Sequence, residues 1–404
     1  MGTTDNAMRY NKKSVTDVDV TGKKVLLRCD FNVPVDKVSG RITDEGRIVA
    51  ALPTINYLLD HGAAVIACSH FGRPKGEFKP EFSLAHVAQC LSSHLGKPVQ
   101  MANDVIGSDA MALAKHLQSG EIMLLENTRF HKEEEQNDPE FAKKLADMAD
   151  IYVSDAFGSV HRAHASTEGV SHYLPAVSGF LLKKELDNIG GAISNPKRPL
   201  VAILGGAKVS DKLGIINNLL NIADTLIIGG GMAYTFFKAQ GGQIGNSLCE
   251  DSEFENVKQM LQTAKDKGVK FLLPFDSLAG VSFSNDGDPL LVASDSIPDG
   301  MMALDIGPQA IKAFSDEIAN AGTIVWNGPM GVFEFSQYAE GTRAVANAIA
   351  DSGAISIIGG GDSAAAVRKF GLEDKITHIS TGGGASLEFM EGKMLPGIAC
   401  LLDA

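Results

Sequence analysis

Aromatic side chains are scarce in this chain. Phe, Tyr and Trp make up 6% of it, and Trp326 is its one tryptophan. That leaves little from which to build the base-stacking surface of a nucleic-acid binder. Positive charge is also in deficit. There are 36 Lys and Arg against 49 Asp and Glu, a formal net charge of −13, which argues against a large polyanion as partner but leaves room for a small anion in a local basic pocket. Five cysteines (Cys29, Cys68, Cys90, Cys249 and Cys400) are scattered and form no C-x-x-C pair. That pattern fits reduced thiols in a cytoplasmic protein rather than a disulfide framework or a zinc site. Long apolar runs are missing too. The smoothest stretch, Thr225–Phe237, is interrupted by three glycines and falls short of the roughly 18 residues a membrane span needs. Met1–Lys13 is polar with no apolar segment, so neither a signal peptide nor a membrane partner is expected.

What remains is the composition of an ordinary soluble domain pair, with 44% hydrophobic and 21% charged residues in 404. That length exceeds what one core usually organises. Short runs rich in Val, Ile and Leu recur along the chain: Lys24–Arg28, Ala64–Cys68, Ile122–Leu125, Ile151–Ser154, Leu200–Leu204, Thr225–Ile228, Lys270–Leu273, Thr323–Trp326, Ala354–Ile358 and Thr377–Ser380. Their hydrophobicity is continuous rather than alternating, as in parallel strands buried on both faces. Segments such as Glu140–Ala149 and Gly341–Ala350 between them carry helical spacing. The fold class is α/β. A charged helical stretch, Leu181–Ile189, is expected to end at Gly190-Gly191, and Asn195–Pro199 reads as a connector. The junction favours two doubly wound parallel-sheet domains over a single eight-fold βα barrel.

Four segments of the second half share one layout of apolar strand, glycine cluster and helix: Leu204–Lys208, Ile228–Gly231, Ile358–Asp362 and Thr381–Gly384. Glycine lets the backbone approach a ligand, and the helix N-terminus that follows favours phosphate. One such turn is often packing alone, but four in one half point to a nucleotide. No G-x-x-x-x-G-K-[ST] is present, which excludes a P-loop kinase. Gly359-x-Gly361-x-x-Ala364 fits a degenerate dinucleotide pattern, yet no acidic residue ends the next run, Ile376–Ser380. The ribose-binding carboxylate expected about 20 residues on is therefore missing.

In the first half, polar and cationic groups follow successive strands: Asp30-Phe31-Asn32-Val33-Pro34, Ser69–Pro74, Glu126–Phe130, and Asp155–Gly158 with His161-Arg162. Arginine presents a planar fork suited to phosphate and carboxylate. A lone Arg or His is usually a solvated or satisfied polar residue, and His131, His164 and His172 read that way. Glu133-Glu134-Glu135 likewise reads as a solvated helix face rather than a metal site. Several cations at consecutive strand ends of an acidic protein are harder to set aside.

Taken in order, Asp30–Pro34, Ser69–Pro74, Gly205–Lys212, Trp326–Pro329 with Gly331–Glu334, and Gly359–Asp362 resemble the phosphoglycerate kinase family, from about Lys24 to about Gly384. The resemblance implies two Rossmann-like domains flanking a cleft and joined by a hinge. It implies residues 1–185 with a returning segment 390–404 for 3-phosphoglycerate, and 186–389 for nucleotide. On the glycerate side it implies Asp30 and Asn32 for the hydroxyl and carboxyl end, with His70, Arg73, Arg129 and Arg162 for the distant phosphate. Arg47 would reach the transferring phosphoryl group. On the nucleotide side it implies Lys208 beside that group, with Lys212, Gly307, Gly360, Gly361 and Ser363 as further nucleotide contacts. Glu334 would bind ribose and Asp362 the Mg²⁺–nucleotide. A monomeric cytoplasmic enzyme acting on 1,3-bisphosphoglycerate and ADP, or on 3-phosphoglycerate and ATP, is the expectation. Ser363 stands where threonine is common in the family, and Phe71 and Thr128 where leucine is frequent.

The residue types agree with that chemistry. The nucleophile is a phosphate or carboxylate oxygen already ionised near neutral pH, so no general base is needed. Negative charge approaching negative charge must be managed by Lys, Arg, Mg²⁺ and helix N-termini. Two other classes stay open on the residues alone: an NAD-dependent dehydrogenase, which needs the missing carboxylate, and a non-catalytic nucleotide- or glycerate-binding protein, which would lack Lys208 or Arg47.

Overall fold

The computed structural model describes residues 10–36 and 38–404. The reading of Met1–Lys13 lies, for its first nine residues, outside the described residues. The chain forms two compact units. One runs to Asp187 and takes in Met394–Ala404; the other is Asn188–Lys393.

In the first unit the apolar runs pair as parallel strands: β1 (Lys24–Arg28), β2 (Ala64–Cys68), β3 (Val99–Met101), β4 (Ile122–Leu124), β5 (Ile151–Ser154) and β6 (Ala176–Ser178), in the order β3-β4-β2-β1-β5-β6. β1 and β2 are buried along nearly their whole length because helices cover both faces. Val25 and Leu27 pack with Ile48, Ile55 and Leu58 of the helix Gly46–Asp60; each such fully buried aliphatic side chain contributes roughly 1.5–3 kcal/mol. With β2 on one side of β1 and β5 on the other, the winding reverses there and opens a crevice beyond the carboxyl end of β1. The returning segment is held by the Lys12–Asp403 ion pair (2.6 Å) and by Leu402 N–H to the Ala176 carbonyl (2.9 Å).

The second unit repeats the plan with β7 (Leu200–Leu204), β8 (Thr225–Ile228), β10 (Lys270–Leu272), β15 (Thr323–Asn327), β16 (Ile355–Gly359) and β17 (His378–Ile379), ordered β10-β8-β7-β15-β16-β17 and parallel throughout. Its core gathers around Trp326, Ile203, Phe314 and Ile358. Beside it lie the antiparallel strands β11 (Asp276–Gly280), β12 (Leu290–Ala293) and β14 (Met302–Ile306), and the short pair β9 (Gln243–Ile244) with β13 (Ser296–Ile297). Two open sheets stand where a single barrel would need one closed one.

Two local expectations are corrected. Gly190-Gly191 does not end the helical stretch. Phe180–Glu185 passes through a π-helical turn, Leu186–Gly190, into Gly191–Ser194, and Gly190 itself is helical at φ −57°, ψ −45°. Glu134 is not solvated. It is fully buried, and its carboxylate accepts hydrogen bonds from the Ser166 N–H (2.9 Å) and hydroxyl (2.5 Å).

Candidate active site

Because all six strands of each main sheet are parallel, every loop that leaves a carboxyl end emerges on the same edge. In the first unit that edge collects the polar motifs. Asp30 follows β1, and its carboxylate accepts two hydrogen bonds from Arg47 Nη1, at 2.9 and 3.0 Å. The same nitrogen donates to the Asn32 carbonyl at 3.1 Å. All three bonds leave through Nη1, so the rest of the Arg47 fork, on a half-exposed side chain, is available to an incoming anion. The Asn32 side chain accepts the Gly72 N–H (2.9 Å), which ties the first motif to the Ser69–Pro74 turn. Arg129 donates from Nη1 to the Gly72 carbonyl (2.9 Å) and so fixes the other side of that turn. Arg73 is exposed beside it.

His70 lies at the centre of this edge, buried, with Nδ1 3.2 Å from Arg28 Nη2. Burial, followed by the fields of Arg28, Arg129, Arg162 and Arg47, holds its pKa well below the usual value. Burial and three of the same arginines, Arg129, Arg28 and Arg162, push His164 down to about 4. Both imidazoles are therefore neutral near pH 7, where they can accept or donate a hydrogen bond without adding charge. Burial and the neighbouring Arg162 and Arg28 also lower the pKa of Arg129, against the pull of Glu135, whose Oε1 is 3.6 Å from Arg129 Nε. Guanidinium groups brought this close are in want of an anion.

Two members of this group were not among the predicted site residues. Arg28 is fully buried, donates to Ser166 Oγ (2.8 Å) and to the Cys29 carbonyl, and is braced through Ser166 by Glu134. Its signal was its place at the last position of β1, where a charge is out of keeping with an apolar strand. His164 read as a satisfied polar residue, and nothing local in the sequence reveals that the arginines surround it. Asp155 has a different task from its neighbours in the motif. It turns inward and caps the helix Phe180–Glu185 by accepting the Leu181 (2.9 Å) and Leu182 (3.1 Å) N–H groups.

The glycine clusters share the edge of the second sheet. The turns after β7 and β15 touch: a Cβ on Gly205 would fall onto the Pro329 carbonyl, and one on Gly328, which has φ +101°, onto the Gly205 carbonyl. A cavity of about 420 Å³ opens beside them, within the range of small-ligand sites. Gly206, Gly230, Gly231, Tyr234, Glu334 and Asp362 are among its lining residues. Lys208 is exposed just beyond Ala207 and hydrogen-bonds to no described residue. Lys212 meets Asn327 Oδ1, and burial lowers its pKa against the pull of Asp211 and Asp362. Gly360, at φ +89°, precedes the helix Gly361–Lys369, whose first turn has no side-chain cap. A Cβ on Gly361 would meet nothing within 4 Å. Those N–H groups suit phosphate.

Not every predicted nucleotide contact lines the cavity. Ser363 is buried, and its hydroxyl accepts the Gly328 N–H at 2.6 Å. Gly307 donates its N–H to the Asp276 carbonyl (2.8 Å). The Asp276 carboxylate in turn caps Gln309 (3.0 Å) and Ala310 (2.8 Å), and a Cβ on Gly307 would collide with it. Both residues shape turns around the site.

Among the described residues no helix is long and apolar enough to cross a membrane. The phosphoglycerate kinase family model matches residues 15–393. The phosphoglycerate kinase of Clostridium botulinum (strain Hall) is 58% identical over 399 residues, 98% of this chain and 100% of that one. That of Prosthecochloris aestuarii is 58% identical over 396 residues, 97% and 100% of the two chains. The solved structure of phosphoglycerate kinase from Coxiella burnetii superposes with a TM-score of 0.91 at 44% identity, covering 96% of this chain and 98% of that one. None of these likenesses supports a dehydrogenase or a non-catalytic binder. The chain belongs to the phosphoglycerate kinase family, and is a kinase that transfers a phosphoryl group to the carboxyl group of 3-phosphoglycerate.

Proposed function

We propose that the first unit binds 3-phosphoglycerate, the second binds ADP or ATP, and Arg47 and Lys208 stabilise the phosphoryl group in flight. The observation that carries this reading is the arginine cluster around the neutral His70, with too few nearby carboxylates to balance it. Arg73, Arg129 and Arg162 take the non-reacting phosphate, with Arg28 supporting them from beneath. Asp30 and Asn32 orient the glycerate hydroxyl and carboxyl end. Asp30 also holds Arg47 ready, so that its open edge faces the transferring group.

On the nucleotide side Glu334 takes the ribose hydroxyls and Lys212 a phosphate oxygen. The Gly360-Gly361 turn presents its N–H groups, while Ser363 and Gly307 hold the turns in shape. Mg²⁺ fits Asp362, an exposed carboxylate at a helix N-terminus that lines the cavity. One or two carboxylates together with substrate phosphates are what this ion takes. Bound there, it would neutralise charge on the nucleotide phosphates.

The attacking oxygen arrives ionised in either direction, on the nucleotide phosphate or on the glycerate carboxylate. The residues therefore position the reactants in line and screen charge rather than move protons. Transfer needs groups from both units around one phosphoryl, which we attribute to hinge closure of a cytoplasmic monomer once both substrates are bound.

Calorimetric titration tests the division of labour. Arg129→Ala should weaken 3-phosphoglycerate binding at least tenfold and leave ADP binding within twofold, and Glu334→Ala should do the reverse. Loss of both ligands in either variant that keeps its fold would contradict separate sites.

A further inference from the structure

The structure assigns a second metal site to the first unit, outside the substrate machinery: Glu45, Cys90 and His94 form a three-ligand site for a zinc-type divalent cation. Nothing in the cysteine spacing announced it, because the ligands come from two helices rather than from a C-x-x-C knuckle.

Cys90 and His94 stand one turn apart on the helix Ala85–Leu95 and share a face. That helix is anchored by Val87, Ala88 and Leu91 in the core, so the two donors sit on a rigid element. Glu45 precedes the helix Gly46–Asp60 and makes no side-chain capping bond. Its Oε2 is 2.7 Å from His94 Nε2, and it also engages the Cys90 thiol. One donor atom from each residue lies within 4.8 Å of the other two.

The donor set is diagnostic of the cation. A tetrahedral zinc ion with one S, one N and one O ligand places its donors about 3.3–3.6 Å apart. The Glu45–His94 contact would therefore open by less than an ångström, and Cys90, already within 4.8 Å of both, would settle at that spacing by small side-chain rotations. A thiolate with an imidazole selects zinc or another late first-row metal over Mg²⁺ or Ca²⁺. Solvent completes the fourth position, since Glu45 and His94 are partly exposed. Without metal the Cys90 thiol, pushed up to about 11 by burial and by Glu45, stays protonated. On binding, the S–H bond breaks, the sulfur pair forms the metal bond and the proton goes to solvent. The competing structural reading is a plain Glu45–His94 ion pair beside a half-buried thiol, which would give no affinity for a soft ion.

Cobalt(II) separates the two. The reduced protein should take up one equivalent of Co²⁺ with a thiolate-to-metal charge-transfer band and the visible bands of four-coordinate cobalt, and Zn²⁺ should bleach both. Cys90→Ser should abolish the charge-transfer band, with an unchanged circular dichroism spectrum. Cys249→Ser, at a thiol outside the cluster, should retain it. Glu45→Gln and His94→Gln should each weaken Zn²⁺ by at least the roughly 10–100-fold that loss of an outer partner of a metal ligand costs. Absence of the band from the wild type, or its survival in Cys90→Ser, overturns the assignment.

Discussion

Replacing Asp155 by Asn should make the protein more stable at neutral pH than at acid pH, relative to the wild type. Asp155 is almost completely enclosed, and burial pushes its carboxyl from the ordinary 3.8 up to about 6. In the unfolded chain the proton is lost near 3.8; in the folded chain it is held until about 6. Between these values the folded state carries the extra proton, so the group's contribution to stability falls as pH rises and levels off above 6. A gap of roughly two pH units, at about 1.4 kcal/mol each, amounts to about 3 kcal/mol. Asn removes the titration and keeps the shape. Its carbonyl oxygen can still accept the Leu181 and Leu182 N–H groups, and its amide nitrogen takes the place of Oδ2, which is buried without a hydrogen bond. Urea unfolding of both proteins, followed by far-ultraviolet circular dichroism from pH 4.5 to 7.5, isolates the effect because every other titrating group cancels in the difference. The Asp155→Asn variant should gain about 2 kcal/mol on the wild type across that range. A constant difference would mean that Asp155 is ionised in the fold throughout. A shrinking one would mean that its pKa is depressed, and would refute the reasoning.

Two further outcomes follow from the same structure. Glu134→Ala strands the buried Ser166 N–H and hydroxyl and loosens Arg28, and should cost about 3 kcal/mol in the same unfolding experiment; a change within 0.5 kcal/mol, roughly the scatter of surface substitutions, would show that water replaces the carboxylate. Hinge closure predicts that the radius of gyration from small-angle X-ray scattering falls most with 3-phosphoglycerate and a non-reacting ATP analogue together; one curve for the apo, singly liganded and doubly liganded protein would exclude it.

The main strands were legible because parallel strands covered on both faces must be apolar at every position, and runs such as Ala64–Cys68 and Leu200–Leu204 are. The strands missed are short, half-solvated or opened by polar residues. Val99–Met101 and Ala176–Ser178 have three residues each, and Asp276–Gly280 begins with two polar residues because Asp276 caps a helix and Ser277 bonds Tyr234. The gathering of polar and cationic groups at strand ends was legible for a similar reason, since a cation just past an apolar run has little structural cause to be there. Buried charge was not. Glu134 sits in a run of three glutamates whose pattern is that of a solvated helix, and only the fold brings Ser166 and then Arg28 against it. Ser363 and Gly307 were expected as nucleotide contacts, but where they point depends on Gly328 and Asp276, distant in sequence.

The central claim is that one phosphoryl group is stabilised by cations from both units, and steady-state turnover tests it directly. With Mg²⁺–ATP and 3-phosphoglycerate, Arg47→Ala and Lys208→Ala should each lower kcat by at least about 100-fold, the scale of losing one preorganised charge-stabilising donor. Both are exposed side chains, so their circular dichroism spectra and unfolding midpoints should match the wild type. Near wild-type kcat in either folded variant would contradict the account.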